Sequence, residues 1–182
     1  MALCAVCVSC STVRSPRYQT GEAKPRIVIL RLEKAIHERI NDERRTHGLP
    51  SLAWDDGLAA IARGHSRDMA VRGYFDHYSP DGGGFSLRYR KAGYVCEQRY
   101  GRTVFQGAEN IALNHLYNAI RTVNGTRFYD WNDEEVLART TVQGWMDSTG
   151  HRKNILAPAY RHEGVGIFIT ETGDVYITQN FC

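Results

Sequence analysis

Two histidines and one glutamate occupy the most distinctive strings of the chain: His77 in YFDHYSPDGGG, Glu109 in QGAENIA and His151 in WMDSTGHRKNIL. Imidazole titrates near neutrality and a carboxylate binds or bridges a cation, so these side chains in one cleft could shuttle protons or hold a divalent ion. Two neutral imidazoles and one carboxylate leave open positions for water on a zinc ion, the arrangement of a catalytic rather than a closed structural site. The plain alternative is a hydrogen-bonded polar cluster that ties loops to a scaffold. Other catalytic patterns are lacking: the sequence has no HExxH, no GxSxG and no cysteine in a nucleophile's context. Ser79 and Ser148 stand near the histidines, where serines more often position loops than attack substrates. Arg152 and Asn154 in GHRKNIL read as loop-fixing groups that bond backbone carbonyls.

Such residues need a scaffold, and the hydrophobic pattern describes one. Ile29, Leu32, Ile36 and Ile40 recur at steps of three and four, which predicts an amphipathic helix stopped by Gly48 and Pro50. Asp55 or Asp56 is placed to cap a second helix in which Leu58, Ile61, Ala62, His65 and Met69 share a face and which Gly73 ends. His65 on that buried stripe reads as a hydrogen-bonded core histidine rather than a ligand. Residues 74–84 have no period and many turn formers, so His77 is expected on a loop. The run Gly82, Gly83, Gly84 lacks the GK[ST] ending of a phosphate-binding loop and reads as a turn. A short helix is expected over residues 85–92, ended by Gly93, and a strand over 108–112. Residues 114–130 assign poorly; Asn124 and Gly125 signal a turn, and the aromatics around it are expected to cover a groove wall. Asn132 is placed to cap another helix, with Glu135 three residues on and Val136, Leu137, Thr140, Thr141 and Trp145 on its buried side. Gly150 should stop that helix and leave His151 just past its end. Val165, Ile167 and Ile169 alternate, ETGD turns, and Val175 and Ile177 alternate back, which predicts a terminal hairpin.

At 182 residues, 42% hydrophobic and 24% charged, the chain suits one soluble domain and is short for two. Its net charge of +3 is spread among acids with no basic block to track a phosphate backbone, so nucleic acid is not an expected partner. No apolar run reaches the length of a membrane span. Three of the five cysteines, Cys4, Cys7 and Cys10, crowd the N-terminus. MALCAVCVSCS is apolar and ends in small residues, like the end of an export signal whose start lies upstream, although it lacks a basic region of its own. A lipid anchor on Cys10 is the alternative, with Cys7 where a large aliphatic is usual. The CxxC spacings lack a second pair or a nearby histidine, which favours a cleaved or unstructured segment over metal or redox chemistry. Residues 1–25 are therefore read as an export-signal remnant and linker, and residues 26–182 as the domain.

Taken in order, the strings resemble the CAP superfamily in its prokaryotic form, the SCP-like or cysteine-rich secretory, antigen 5 and pathogenesis-related 1 domain. An opening LxWDxxLxxxAxxHSxxM pattern from Leu52 to Met69, a GVG from Gly164 to Gly166 and a closing YITQNF from Tyr176 to Phe181 flank the three site strings. The match runs over residues 29–181. It implies an α+β fold, a three-layer α-β-α sandwich with a central antiparallel sheet, in agreement with the helices and hairpin read above. It also implies a cleft lined by two histidines and two acids, where some members bind Zn2+ or another divalent cation. Carried over residue by residue, the first histidine is His77, the first acid Glu109 and the second histidine His151. The second acid stands three residues after a helical Trp, and here the residue three after Trp145 is Ser148. The expected cleft is then His77, Glu109, His151 and Ser148, with His77, Glu109 and His151 as candidate metal ligands. Without the fourth group, nothing named orients the second imidazole or acts as a separate base, and Asp147 and Glu163 are the acids nearby. The resemblance implies an exported or cell-surface domain that binds a lipid, a peptide or a cell-envelope component. The alternatives are a metal-assisted peptide hydrolase built on the same three residues, and a scaffold without a ligand. In an oxidising compartment Cys96 and Cys182 are either bridged, which needs Cα atoms within ~7 Å, or two unpaired thiols.

Overall fold

The first helix, α1 (Ile29–Thr46), is held by the stripe that its spacing describes, since Leu32, Ile36 and Ile40 are fully buried. It ends where the Leu49 amide reaches back to the Arg44 carbonyl and Gly48 takes a left-handed φ of +71°. The structure, a computed structural model, describes residues 24–182, so the expectations for Cys4, Cys7 and Cys10 fall outside the described residues. The short strand β1 (Ala53–Trp54) leads into α2 (Asp56–Arg72), capped by the Asp55 carboxylate on the Leu58 amide and ended by Gly73 in the left-handed region. After a loop come α3 (Phe85–Lys91) and a two-stranded ribbon, β2 (Gln98–Tyr100) with β3 (Thr103–Phe105). Then follow β4 (Ala108–His115), a hairpin of β5 (Tyr117–Val123) and β6 (Thr126–Trp131), the helices α4 (Glu134–Asp147) and α5 (Thr149–Ile155), and the closing hairpin β7 (His162–Ile169) and β8 (Asp174–Phe181).

The sheet order is β1-β7-β8-β4. β4, β8 and β7 pair antiparallel, and the two-residue β1 runs parallel to β7 at the edge. This is the expected α+β sandwich of helices on both sides of a central sheet. Side chains of β7 and β8 alternate between its faces with the period of two that a strand imposes. Val165, Ile167, Val175, Ile177 and Phe181 join Leu32, Ile36, Leu137, Val142 and Trp145 in the main core under α1 and α4. On the opposite face Gly164 and Gly166 let α2 lie directly on the strand, because a Cβ at either would overlap the backbone of Ala59 or Arg63. Thr178 and Asn180 also point to α2, where Ser66 Oγ donates to Thr178 and Asn180 Nδ2 donates to the Leu58 carbonyl.

Three local expectations are corrected. The cap of α4 is Asp133, whose carboxylate accepts the Val136 amide, while Asn132 is drawn to the His115 carbonyl at 3.0 Å. Thr140 is exposed, and Ala138, Val142 and Met146 complete the buried side instead. His151 lies within α5 rather than beyond a helix end, because the chain breaks helical geometry at Ser148 (ψ 121°) and turns again. Within residues 114–130, which assign poorly from sequence, the turn expected at Asn124 and Gly125 is present, both at positive φ, and it joins β5 to β6. The hairpin's aromatics Tyr117, Tyr129 and Trp131 pack on one another.

Cys96 and Cys182 are bridged, with Cα atoms 5.5 Å apart. The bridge is packed with Leu58 and Tyr89 in a small second core.

Candidate functional site

Glu109 is the second residue of β4, in register with Asn180 of β8, and its carboxylate is only 1% exposed. A buried carboxylate requires partners, and it has them on both oxygens. His77, on the loop between α2 and α3, places Nδ1 2.9 Å from Oε1. Arg88, from α3, donates Nη2 to Oε2 at 2.6 Å. The same guanidinium fixes the loop itself through the carbonyls of His77 (3.1 Å) and Gly83 (3.0 Å). The turn expected at the glycine run is present, closed by the Ser79 amide on the Gly83 carbonyl.

His65 is buried as the core reading holds, and its Nε2 donates to the Asp76 carbonyl at 3.1 Å. That nitrogen is also 3.8 Å from Glu109 Oε1, so His65 backs the site from inside the protein. Burial lowers the His65 pKa, and Glu109 opposes that shift.

His151 is half-buried on α5 and its carbonyl accepts from Asn110 Nδ2 at 3.3 Å. Its imidazole makes no direct bond to Glu109. Burial lowers its pKa, and the field of His77 lowers it further. Ser148, at the α4–α5 junction, is half-buried and engaged through its backbone, to the Trp145 carbonyl and the Arg152 amide. Neither Asp147 nor Glu163 reaches the cleft. Asp147 accepts from Gln143 on the surface, and Glu163 is fully buried between His37 and Gln179.

Asn154 and Arg152, expected to fix loops, instead bond carbonyls of the strand β4 and the helix α4. Asn154 Nδ2 donates to the Glu109 carbonyl and to Asn110 Oδ1 (2.9 Å), and Arg152 donates to the Met146 carbonyl. Behind Asn154 a chain of oriented amides runs through the sheet: Asn110 Nδ2 donates to Gln179 Oε1 at 3.0 Å, and Gln179 Nε2 donates to Glu163 Oε2. Satisfied buried networks of this kind fix one arrangement of the groups they connect.

A cleft of about 460 Å³ opens over His77 and Glu109, walled by Tyr78, Phe85, Phe105 and Tyr160 with Lys153 and Asn154 at its rim. A second hollow of about 540 Å³ lies between α2 and α3, over His65 and Arg88. The smaller cleft is the better candidate, because it holds the accessible histidine and the acid together. Arg88, Lys153 and the aromatic walls were not legible as site residues. No linear pattern marks them, since each meets the site only through the fold.

Glu109 offers a metal ion no free oxygen in this arrangement. Both oxygens of Glu109 are engaged, one by a guanidinium, and a cation at Oε2 would stand against the positive charge of Arg88. Among the described residues, no group of three His, Cys, Asp or Glu side chains is placed to hold an ion.

The sequence profile of the cysteine-rich secretory protein family, CAP, matches residues 37–181. Two Bacillus subtilis proteins are each 36% identical to the chain: YkwD over 156 residues and the membrane protein YlbC over 149. Each alignment covers 82% of this chain, but 46% of YkwD and 34% of YlbC, so the chain spans less than half the length of these curated relatives. Among solved structures, an extracellular protein containing a SCP domain from Bacillus anthracis aligns with a TM-score of 0.59 at 30% identity. That alignment covers 84% of this chain and 40% of the other. No helix among the described residues is long and apolar enough to cross a membrane.

Proposed function

The chain belongs to the cysteine-rich secretory protein (CAP) family, and on that premise we propose that it is an exported binding domain that works outside the cell or at its surface. Its ligand, a lipid, a peptide or a cell-envelope component, enters the cleft over His77 and Glu109. The observation that carries this reading is the cleft itself: about 460 Å³, with aromatic walls and a few polar groups held in place by the sheet behind them. Export is supported by the Cys96–Cys182 bridge, because disulfides persist in oxidising compartments, and by the extracellular SCP-domain relative of Bacillus anthracis.

The hydrolase alternative asks more of the site. A metal-assisted reaction needs an ion on Glu109 and a base beside it, whereas Glu109 already neutralises Arg88 and the position of the second acid holds Ser148. Isothermal titration with zinc tests this directly: no uptake at His77, Glu109 and His151 is the expected result, and stoichiometric uptake lost in Glu109→Gln would restore the metal reading.

Binding is tested by titrating the 15N-labelled domain with separate pools of short peptides, lipids and cell-wall fragments. At least one pool should shift the amide resonances of His77, Glu109, Phe105 and Tyr160 in a saturable way. Shifts confined to residues outside the cleft would sink the proposal.

A further inference from the structure

We propose that the cleft recognises the carboxylate of a peptide ligand, with Lys153 as the group that binds it. The inference rests on the cleft being the binding site, and it specifies the ligand's chemistry. Among the described residues, Glu109 is the only acid that lines the cleft, and its buried carboxylate is taken by His77 on one oxygen and Arg88 on the other. Drawing Glu109 to an incoming cation would leave the guanidinium of Arg88, itself 15% exposed, with only carbonyl oxygens for company. An unpaired charge in that position is costly, so Glu109 stays committed to Arg88.

The charge that a ligand meets is therefore positive. Lys153 is exposed at the rim and forms no ion pair among the described residues, and the His77 side chain, 41% exposed, faces the same space. The complement of such a surface is an anion. Four aromatic walls enclose more room than a small inorganic ion would fill, which points to an anionic group carried on an organic chain. Asn154 uses its Nδ2 on the Glu109 carbonyl and on Asn110, leaving its Oδ1 to accept a backbone N–H. An acceptor beside a cation at the mouth of an aromatic cleft matches a peptide end, in which the last N–H lies next to the terminal carboxylate.

The 15N-labelled domain, titrated with N-acetyl-Ala-Phe-Ala as the free acid, as its C-terminal amide, and with octanoate, tests this. The free acid should shift His77, Glu109, Lys153 and Asn154 together, and the amide should bind about tenfold more weakly, as expected for losing one charge-assisted contact. Lys153→Met should weaken the acid by a similar factor and leave the amide unchanged, while Lys153→Arg should retain the acid. Equal binding of acid and amide, or indifference to Lys153→Met, overturns the anion inference and leaves the cleft as a binding site. Octanoate in the cleft without the peptide acid overturns the peptide and assigns the carboxylate to a lipid. No shift at the four residues with any of the three probes overturns the inference, while other ligand classes shifting the same residues would still uphold the cleft.

Discussion

Arg88 holds Glu109 and the loop of His77 at once, with one Nη2 nitrogen 2.6 Å from Glu109 Oε2 and 3.1 Å from the His77 carbonyl. The acid of the cleft, its histidine and the helix α3 are thereby locked into one unit. The pair is nearly withdrawn from water, at 15% and 1% exposure of the two side chains, so removing either member strands the other. Arg88→Leu should destabilise the domain by about 3–5 kcal/mol, the usual penalty for an uncompensated buried charge. The companion Arg88→Leu/Glu109→Leu should recover part of that loss. Urea denaturation of the wild type and the two variants measures both changes, and a loss under about 1 kcal/mol for the single variant would mean that water reaches the pair.

His65 makes stability depend on pH. Burial depresses its pKa below the ordinary value of 6.5, so as pH falls the unfolded chain takes up the proton before the folded one does. Stability should be level above about pH 7 and should decline as pH drops through 6.5 toward the folded-state pKa. His151 is shifted in the same direction and adds to the slope. His65→Gln keeps a donor for the Asp76 carbonyl but cannot titrate, so its urea midpoint should fall less between about pH 7 and pH 5 than that of the wild type. Identical slopes would show that the imidazole is solvated in the native state.

The framework was readable because burial writes itself into periodicity. Leu32, Ile36 and Ile40, the Asp55 cap and the Gly73 stop are all local features, and the structure keeps each of them. The β5–β6 strands were not readable, since β5 is exposed along nearly its whole length, β6 is nowhere fully buried, and neither burial pattern alternates. The cap of α4 slipped by one because Asn132 and Asp133 are both good caps, and a tertiary contact to the His115 carbonyl decides between them. At the site, His77 and Glu109 stood out through their strings and do meet. Arg88 stands 21 residues before Glu109 on another element, and Gln179 reaches Glu163 and Asn110 from across the sheet. Contacts of that kind leave no trace in spacing.

Gly166 decides how closely α2 approaches the sheet. Its φ is ordinary, so the requirement is space: a methyl group there meets the backbone of Ala62 and Arg63, which cannot rotate away as a side chain end would. Gly166→Ala must push α2 off β7 and with it the Ser66 bonds to the Gly166 carbonyl and Thr178. The expected loss is about 1–3 kcal/mol or more. The exposed Gly64→Ala, where a Cβ meets nothing within 4 Å, should be neutral or stabilising, since alanine favours a helix. Equal thermal midpoints for Gly166→Ala and wild type would show that α2 is not seated as described.

The Cys96–Cys182 bridge should supply stability without shaping the cleft. It joins residues 86 positions apart, and in the chain-entropy account a loop of that length restricts the unfolded chain by about 4–5 kcal/mol. In the folded state Cys182 is also held by its backbone, accepting from the Arg161 and His162 amides and donating to the His162 carbonyl. The end of β8, and with it the register that seats Glu109 opposite Asn180, thus has its own ladder. Reductant should therefore lower the urea midpoint of the wild type substantially and leave that of Cys96→Ser/Cys182→Ser where it already is. The 15N spectrum of the double variant should change near residues 96 and 182 and keep the shifts of His77 and Glu109. A wild type indifferent to reductant would mean two free thiols and would remove one support for export, whereas loss of the cleft resonances would make the bridge part of the site.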